Sequence, residues 1–295
     1  MGPILYYLLI KPLSFLPLPV LHGISTVLYF LLYHLAGYRK KVVHANLVNS
    51  FPDKTPKEIE SIMRRFYLHF CDLFVESIKI FSISEQEAID RCRFKNPEVL
   101  EKFYQEGRSL LIIAGHYNNW EMAAIGYAQQ TDYLSAGIYQ PLRSAFFNNK
   151  AKASRGKYGL LLVAKNDTKQ FFSDHKDQLT NTLFGADQSP TFSKKVYWTT
   201  FLNQETAVAF GSEKFAKEYN FPPVFTRINR IRRGYYELEF MVITENPMDT
   251  AHGEITEAHT RLLEQQIMED PAYYLWTNKR WKRKRKEGER MGNQK

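Results

Sequence analysis

The sequence predicts an α/β protein built on a mixed, mainly parallel sheet that is flanked by helices. In the middle of the chain, short apolar runs alternate with longer polar or helical segments, as parallel strands do when both of their faces are covered. These runs are 110–115 (LLIIAG), 133–140 (YLSAGIYQ), 160–165 (LLLVAK) and 182–187 (TLFGAD). Two further runs, 224–231 and 235–244, flank Arg-Arg-Gly and predict an antiparallel hairpin. With 295 residues and no internal repeat, the chain fits one main domain.

The amino-terminal segment is apolar enough to reach a membrane. No formally charged side chain occurs from Leu13 to Ala36, and about 20 such residues cross a hydrocarbon core. Cations at 39–41 follow directly and are expected on the cytoplasmic side of the membrane. Pro17 and Pro19 weaken the case for a straight span. A spanning helix from about Val20 and a helix that lies in the membrane plane or packs on the domain therefore both remain open.

A long amphipathic helix is predicted next. Thr55, Pro56 and Glu58 form a capping-box signature at its start. Apolar residues then recur at helical spacing and predict one buried face: Ile59, Ile62, Met63, Phe66, Phe70, Leu73 and Phe74. A second helix is predicted at 257–270. The first of these helices is expected to be structural.

The positive charge is concentrated at the carboxyl terminus. Residues 279–295 hold nine Lys and Arg against two Glu, a net +7, which leaves only +2 of the total +9 for the rest. Such a tail suits a phospholipid surface, an acidic protein or nucleic acid, and the alternative is a solvated tail without a partner. The near-neutral body argues against a nucleic-acid-binding protein.

His116 and Glu121 are the candidate chemical residues. Five positions on one helix are about 140° apart, so these side chains can meet only if the histidine precedes the helix. The sequence allows this, with a strand at 110–114, a break at Gly115 and a helix that begins near Trp120. A carboxylate bonded to one ring nitrogen would then make the other nitrogen a better base. The alternatives are a loop histidine beside a first-turn glutamate, and a metal site, for which no further ligand at recognisable spacing follows.

Several other catalytic motifs are missing from the sequence. There is no G-x-S-x-G nucleophile elbow, no G-x-G-x-x-G pattern and no phosphate-binding P-loop. A histidine that directly activates a substrate hydroxyl is therefore the economical chemistry.

The segment AGHYNNWE resembles the H-x4-D/E motif of glycerolipid-type acyltransferases, and in its G-H-x-x-N-W-E form it is similar to the lauroyl/myristoyl acyltransferases of lipid A biosynthesis in Gram-negative bacteria. Four other segments resemble blocks of this family in the same order, so the likeness covers most of the chain. They are HANLVNSFPD (44–53), YQPLRSAFFNNKAKASRGKYG (139–159), GADQSP (185–190) and DPAYYLWTNKRWK (270–282).

The resemblance implies a role for each matched residue. His116 would be the general base that takes a proton from an acceptor hydroxyl, and Glu121 would orient it and stabilise the imidazolium. Arg155 would bind a phosphate of the lipid or donor, or support the oxyanion. Asp187 would position Arg155 or a polar group of the substrate, and Asn119 would support substrate binding.

The implied reaction moves a fatty acyl chain from a thioester, with acyl carrier protein as the expected donor, to a hydroxyl of a lipid A precursor. The resemblance implies no metal and no cofactor. It also implies a glycerolipid-acyltransferase-like fold at the inner membrane, facing the cytoplasm. The expected parts are an anchor (1–41), an acyltransferase domain (42–281) and a basic tail (282–295). The alternatives are another glycolipid or aminolipid acceptor, and a non-catalytic lipid-binding protein.

Overall fold

The computed structural model of the chain describes residues 2–190 and 196–292. The helices are α1 Gly2–Leu5, α2 Lys11–Ser14, α3 Leu18–Tyr29, α4 Lys40–Ser50, α5 Pro56–Lys79, α6 Glu85–Arg91, α7 Glu98–Gln105, α8 Trp120–Tyr127, α9 Ala145–Arg155, α10 Thr168–Asp174, α11 Gly211–Tyr219 and α12 Glu254–Glu269. The strands are β1 Cys92–Phe94, β2 Leu110–Ala114, β3 Leu134–Tyr139, β4 Leu161–Ala164, β5 Thr180–Gly185, β6 Val196–Phe201, β7 Gln204–Ala209, β8 Pro223–Arg232 and β9 Tyr235–Val242.

A seven-stranded sheet forms the centre of the protein, and its strand order is β1-β9-β8-β2-β5-β3-β4. All neighbouring strands are parallel except β8 and β9, which form the predicted antiparallel hairpin. The predicted mixed, mainly parallel sheet with flanking helices is therefore confirmed. Strand β1 was not predicted, because three residues are too few for a recognisable strand pattern.

A second sheet of two strands was also missed. Strands β6 and β7 pair antiparallel through a turn at Leu202 and Asn203, whose φ angles are 49° and 61°. Two successive positive φ angles suit a tight hairpin, but the usual sequence signal for such a turn is Asn-Gly or Asp-Gly. Leu-Asn lacks that glycine, so this turn has no recognisable signal in the sequence.

Helix α5 forms as its capping box predicts. The Thr55 side chain accepts a hydrogen bond from the Glu58 backbone N–H at 3.4 Å, and the Glu58 carboxylate accepts one from the Thr55 N–H at 2.7 Å. Most of the predicted apolar face is buried, but Phe74 is 59% exposed and lies outside it.

The amino-terminal helices pack on the face of α5 through polar contacts. His22 Nε2 lies 2.8 Å from Glu76 Oε1, and Ser25 donates to Asp72. Arg233, in the turn between β8 and β9, donates to the same Asp72 carboxylate and to the His22 carbonyl. Both acidic side chains are almost completely buried. The segment is therefore attached to the domain by buried hydrogen bonds as well as by apolar packing.

Within the described part of the chain, one helical stretch, Leu18–Ala36, is long and apolar enough to cross a membrane. It comprises α3 and a π-helical continuation at Phe30–Ala36. Length and composition of this kind also occur in helices that pack on a domain, as α3 does here. Large apolar side chains on the opposite side of the amino-terminal segment remain exposed, including Leu8 at 76%, Phe15 at 66% and Val27 at 61%.

The first part of the basic terminus lies along the β6–β7 hairpin. Arg285 forms an ion pair with Glu205 at 2.8 Å, and the Gly292 N–H donates to the Trp198 carbonyl at 2.6 Å. Part of the positive charge is thus neutralised within the protein.

Candidate active site

The candidate site lies where two neighbouring parallel strands end. Ala114 at the end of β2 pairs in register with Gly185 at the end of β5. His116 and Asp187 each follow two residues later, so the sheet register alone brings these side chains to the same level of the same edge. The carboxyl edge of an α/β sheet is the usual place for an active site.

His116 is held at two points by Asp187. Its ring Nδ1 lies 2.6 Å from Asp187 Oδ1, and its backbone N–H donates to Oδ2 at 2.9 Å. The Asp187 side chain is 2% exposed, whereas that of His116 is 20% exposed. A buried carboxylate that accepts from Nδ1 fixes the ring orientation and leaves the Nε2 lone pair on the open side.

This contact differs from the expected one, because Asp187 rather than Glu121 orients the histidine ring. Burial alone would lower the pKa of His116, but the Asp187 carboxylate, aided by a smaller contribution from Glu121, raises it above the ordinary value of 6.5. For Asp187, burial alone would raise the pKa. The charge and hydrogen bonds of His116 outweigh that effect, so the pKa of Asp187 is lowered.

The open side of the His116 ring faces Gln188, whose Nε2 lies 3.0 Å from the histidine Nε2. Gly185 provides the room for this ring, because a Cβ on that residue would lie 3.2 Å from the His116 Cε1. Trp120 packs edge to face against the ring at 5.0 Å between centroids. Gln188 was not singled out from the sequence, although it directly follows Asp187.

The turn between β2 and α8 is fixed by the carboxyl-terminal segment. The Leu275 N–H donates to the His116 carbonyl at 3.1 Å, and the Asn118 N–H donates to the Tyr273 carbonyl at 3.0 Å. Asn118 has a φ of 53°, a left-handed conformation that asparagine tolerates better than most residues. The closing sequence block thus holds the turn between β2 and α8 through backbone hydrogen bonds.

Asn119 is the buried N-cap residue of α8. It is 1% exposed, its side-chain oxygen accepts from the Met122 N–H at 2.8 Å, and its amide donates to Glu76 at 2.6 Å. Asn119 therefore fixes the start of α8. Glu76 also accepts from Tyr236 at 2.7 Å, so this helix start is tied to α5 and β9.

Glu121 and Arg155 form a bidentate ion pair. Arg155 Nε and Nη2 donate to the two Glu121 oxygens at 2.6 and 2.5 Å. The carboxylate is 16% exposed and the guanidinium 26% exposed. Glu121 in the first turn of α8 thus faces the end of α9, and the expected contact between Asp187 and Arg155 is not formed. The two bonds use the edge of the guanidinium formed by Nε and Nη2.

Metal binding has no candidate group of ligands. Among residues 2–190 and 196–292, no cluster of three or more His, Cys, Asp or Glu side chains is arranged to hold an ion.

Comparison with known proteins identifies the family. A comparison with curated protein sequences found no significant match. The family model described as bacterial lipid A biosynthesis acyltransferase matches residues 2–283, which is almost the whole chain. The chain therefore belongs to the bacterial lipid A biosynthesis acyltransferase family.

Proposed function

We propose that this acyltransferase moves a fatty acyl chain from a thioester to a hydroxyl of a lipid A precursor, with His116 as the general base. The observation that carries the proposal is the partly exposed His116 ring, whose Nδ1 is bonded to a buried carboxylate while Nε2 stays on the open side. A neutral imidazole in this orientation is suited to accept a proton from an alcohol.

The proposed reaction begins when His116 Nε2 takes the proton of the acceptor hydroxyl. The oxygen attacks the thioester carbonyl, a carbon–oxygen bond forms, and the negative charge moves to the carbonyl oxygen. The carbon–sulfur bond then breaks, and the imidazolium returns its proton to the leaving thiolate. Asp187 stabilises the imidazolium between these two transfers.

Arg155 is proposed to bind a phosphate of the lipid or to stabilise the oxyanion through Nη1. Its bidentate contact with Glu121 uses the other edge of the guanidinium and fixes its plane. In this arrangement Glu121 acts through Arg155, and the two residues of the H-x4-E motif serve different parts of the reaction.

Acyl carrier protein is the proposed donor partner. A carrier protein of acidic character would be attracted to the basic residues 279–290, although Arg285 is already paired with Glu205. We propose that the enzyme is attached to the cytoplasmic face of the inner membrane, where the cations at 39–41 would lie beside anionic headgroups.

The test is transfer by the purified protein with a panel of acyl thioesters and candidate acceptors, read by mass spectrometry. We expect a lipid A precursor to gain the mass of one acyl group from acyl carrier protein. Acylation of another glycolipid or an aminolipid, with lipid A precursors unchanged, would contradict the proposed acceptor. Products that resist hydroxylamine would contradict ester formation.

We further propose that the amino-terminal segment lies in the membrane plane. Its polar residues His22 and Ser25 are already engaged by α5, whereas Leu8, Phe15 and Val27 are exposed. If this helix crossed the bilayer, either the hydrogen bonds of His22 and Ser25 to α5 would break or part of the domain would have to enter the membrane with it. An in-plane position keeps the pairs and buries the apolar side.

Replacing Leu8 and Phe15 by glutamate should weaken binding to anionic vesicles by at least about tenfold, since burying each side chain is worth about 1.5–3 kcal/mol. Vesicle flotation measures the bound fraction. Met248→Glu, at an exposed apolar residue outside this segment, is the matched control and should bind normally. Equal flotation of the double variant and the control would contradict the in-plane position.

A further inference from the structure

Arg280 is buried behind the candidate site, and within the described part of the chain two of its three guanidinium nitrogens are unpartnered. It is 3% exposed, and neither Nε nor Nη1 has a hydrogen-bond partner among the described residues. A guanidinium in this environment loses its hydration, and a nearby opposite charge is needed to offset that loss.

Asp187 is the carboxylate that acts on Arg280. The two side chains line the same cavity of about 10 Å³, beside the end of β2, which has room for about one water molecule. Burial lowers the pKa of Arg280, and Tyr274 and Asp187 oppose that effect. Arg280 in turn contributes to the lowered pKa of Asp187. His259 lines this cavity as well, but burial lowers its pKa to about 4, so it is neutral and supplies no charge.

We propose that Arg280 is an inner counter-charge that, together with His116 on the open side, keeps the buried Asp187 ionised, and that it is thereby a positioning residue for His116. Three groups then lie in sequence from the open side inward: the imidazole, the carboxylate and the guanidinium. Asp187 bonds His116 directly, so an ionised Asp187 is required to orient the ring and to stabilise the imidazolium. The catalytic part of this inference rests on the proposed function, whereas the charge pairing does not.

The arrangement gives Arg280 a task that is separate from that of Arg155. Arg155 is partly exposed and bonded to Glu121, and it can meet a substrate. Arg280 is enclosed, lies within the closing sequence block (270–282), and reaches the reaction only through Asp187.

The experiment is a double-mutant cycle with Asp187→Asn, Arg280→Met and the combined variant, measured by thermal unfolding and by the kcat of acyl transfer. Asp187→Asn removes the charge that offsets the buried Arg280, and Arg280→Met leaves the buried Asp187 with His116 alone, so both should unfold several degrees below wild type. The combined variant removes both charges and should be more stable than the sum of the single effects predicts.

The kcat values should show the same coupling. Arg280→Met is expected to lower kcat by about 10- to 100-fold in the wild-type background, since a positioned proton transfer contributes about 10²–10⁴-fold and only part of it depends on Arg280. In the Asp187→Asn background it should change kcat by less than about threefold. Arg280→Lys, which keeps the charge, should restore part of the loss, and the exposed Arg290→Met is the matched control for lost positive charge.

Additive effects on both unfolding and kcat would overturn the proposal. If Arg280→Met alone fails to fold, recovery of folded protein in the combined variant supports the pairing, and failure of both variants counts against it. The unfolding cycle is decisive even if no acyl transfer is found, so failure of this inference can be told apart from failure of the proposed function.

Discussion

His116→Ala is expected to lower kcat for acyl transfer by about 10²–10⁴-fold, the usual contribution of a positioned general base. The protein should remain folded, because the ring is partly exposed and lies at the end of a strand, although loss of the bond to the buried Asp187 should lower the thermal unfolding temperature. Steady-state transfer, followed by the mass of the acylated product, measures the loss.

His252→Ala is the matched control for this substitution. His252 is exposed and lies on the loop before α12, away from the ends of β2 and β5, so its removal should leave transfer unchanged. Wild-type turnover by His116→Ala would contradict a base at this position. It would instead favour a protein that binds lipid on the same scaffold without catalysing transfer.

Asp187→Asn is expected to reduce kcat and to move the acid limb of the pH profile of kcat/KM to lower pH. In the wild type the pKa of His116 is raised above 6.5, since Asp187 outweighs the effect of burial. The base is active when neutral, so activity should fall as pH drops through that raised pKa. Without the carboxylate the effect of burial remains and lowers the pKa, so the neutral ring persists to lower pH. Initial rates from about pH 5 to 9 check this direction.

Glu121→Gln is the comparison that separates the two carboxylates. Glu121 makes a smaller contribution to the charge around His116, so its replacement should move the acid limb less than Asp187→Asn does. It should chiefly impair the step that depends on Arg155, through the loss of the bidentate ion pair. A larger pH shift for Glu121→Gln than for Asp187→Asn would contradict the assignment of Asp187 as the dominant partner.

The strand, the glycine break and the start of helix α8 near Trp120 could all be predicted from sequence, because each has a local signal. The capping box of α5 and the six longer strands of the main sheet were predicted for the same reason. The partner of His116 could not be found in this way. Asp187 lies 71 residues away and meets the histidine only because β5 is the neighbour of β2, and strand order has no local signal.

The five-residue spacing to Glu121 suggested a partner that is close along the chain. Because α8 begins at Trp120, Glu121 in its first turn points toward the end of α9. There the Glu121 carboxylate accepts hydrogen bonds from Arg155 and forms an ion pair with it. The role of Asn119 also depended on a distant residue, since its amide is bonded to Glu76 on α5. Local sequence patterns therefore predicted where the site lies. The partner of each side chain could be assigned only from the tertiary structure.

The shared acceptor Glu76 has a practical consequence for redesigning the amino-terminal segment. The Glu76 carboxylate is hydrogen-bonded to His22 of the amino-terminal segment and to Asn119, the residue that caps α8. Removing the residues before 42 would remove the hydrogen bond between His22 and Glu76 and expose Glu76 to solvent. We expect this to destabilise α8, the helix that carries Glu121. We expect a more soluble variant from replacing the exposed apolar side chains of the amino-terminal segment by polar ones, with His22 and Ser25 left in place.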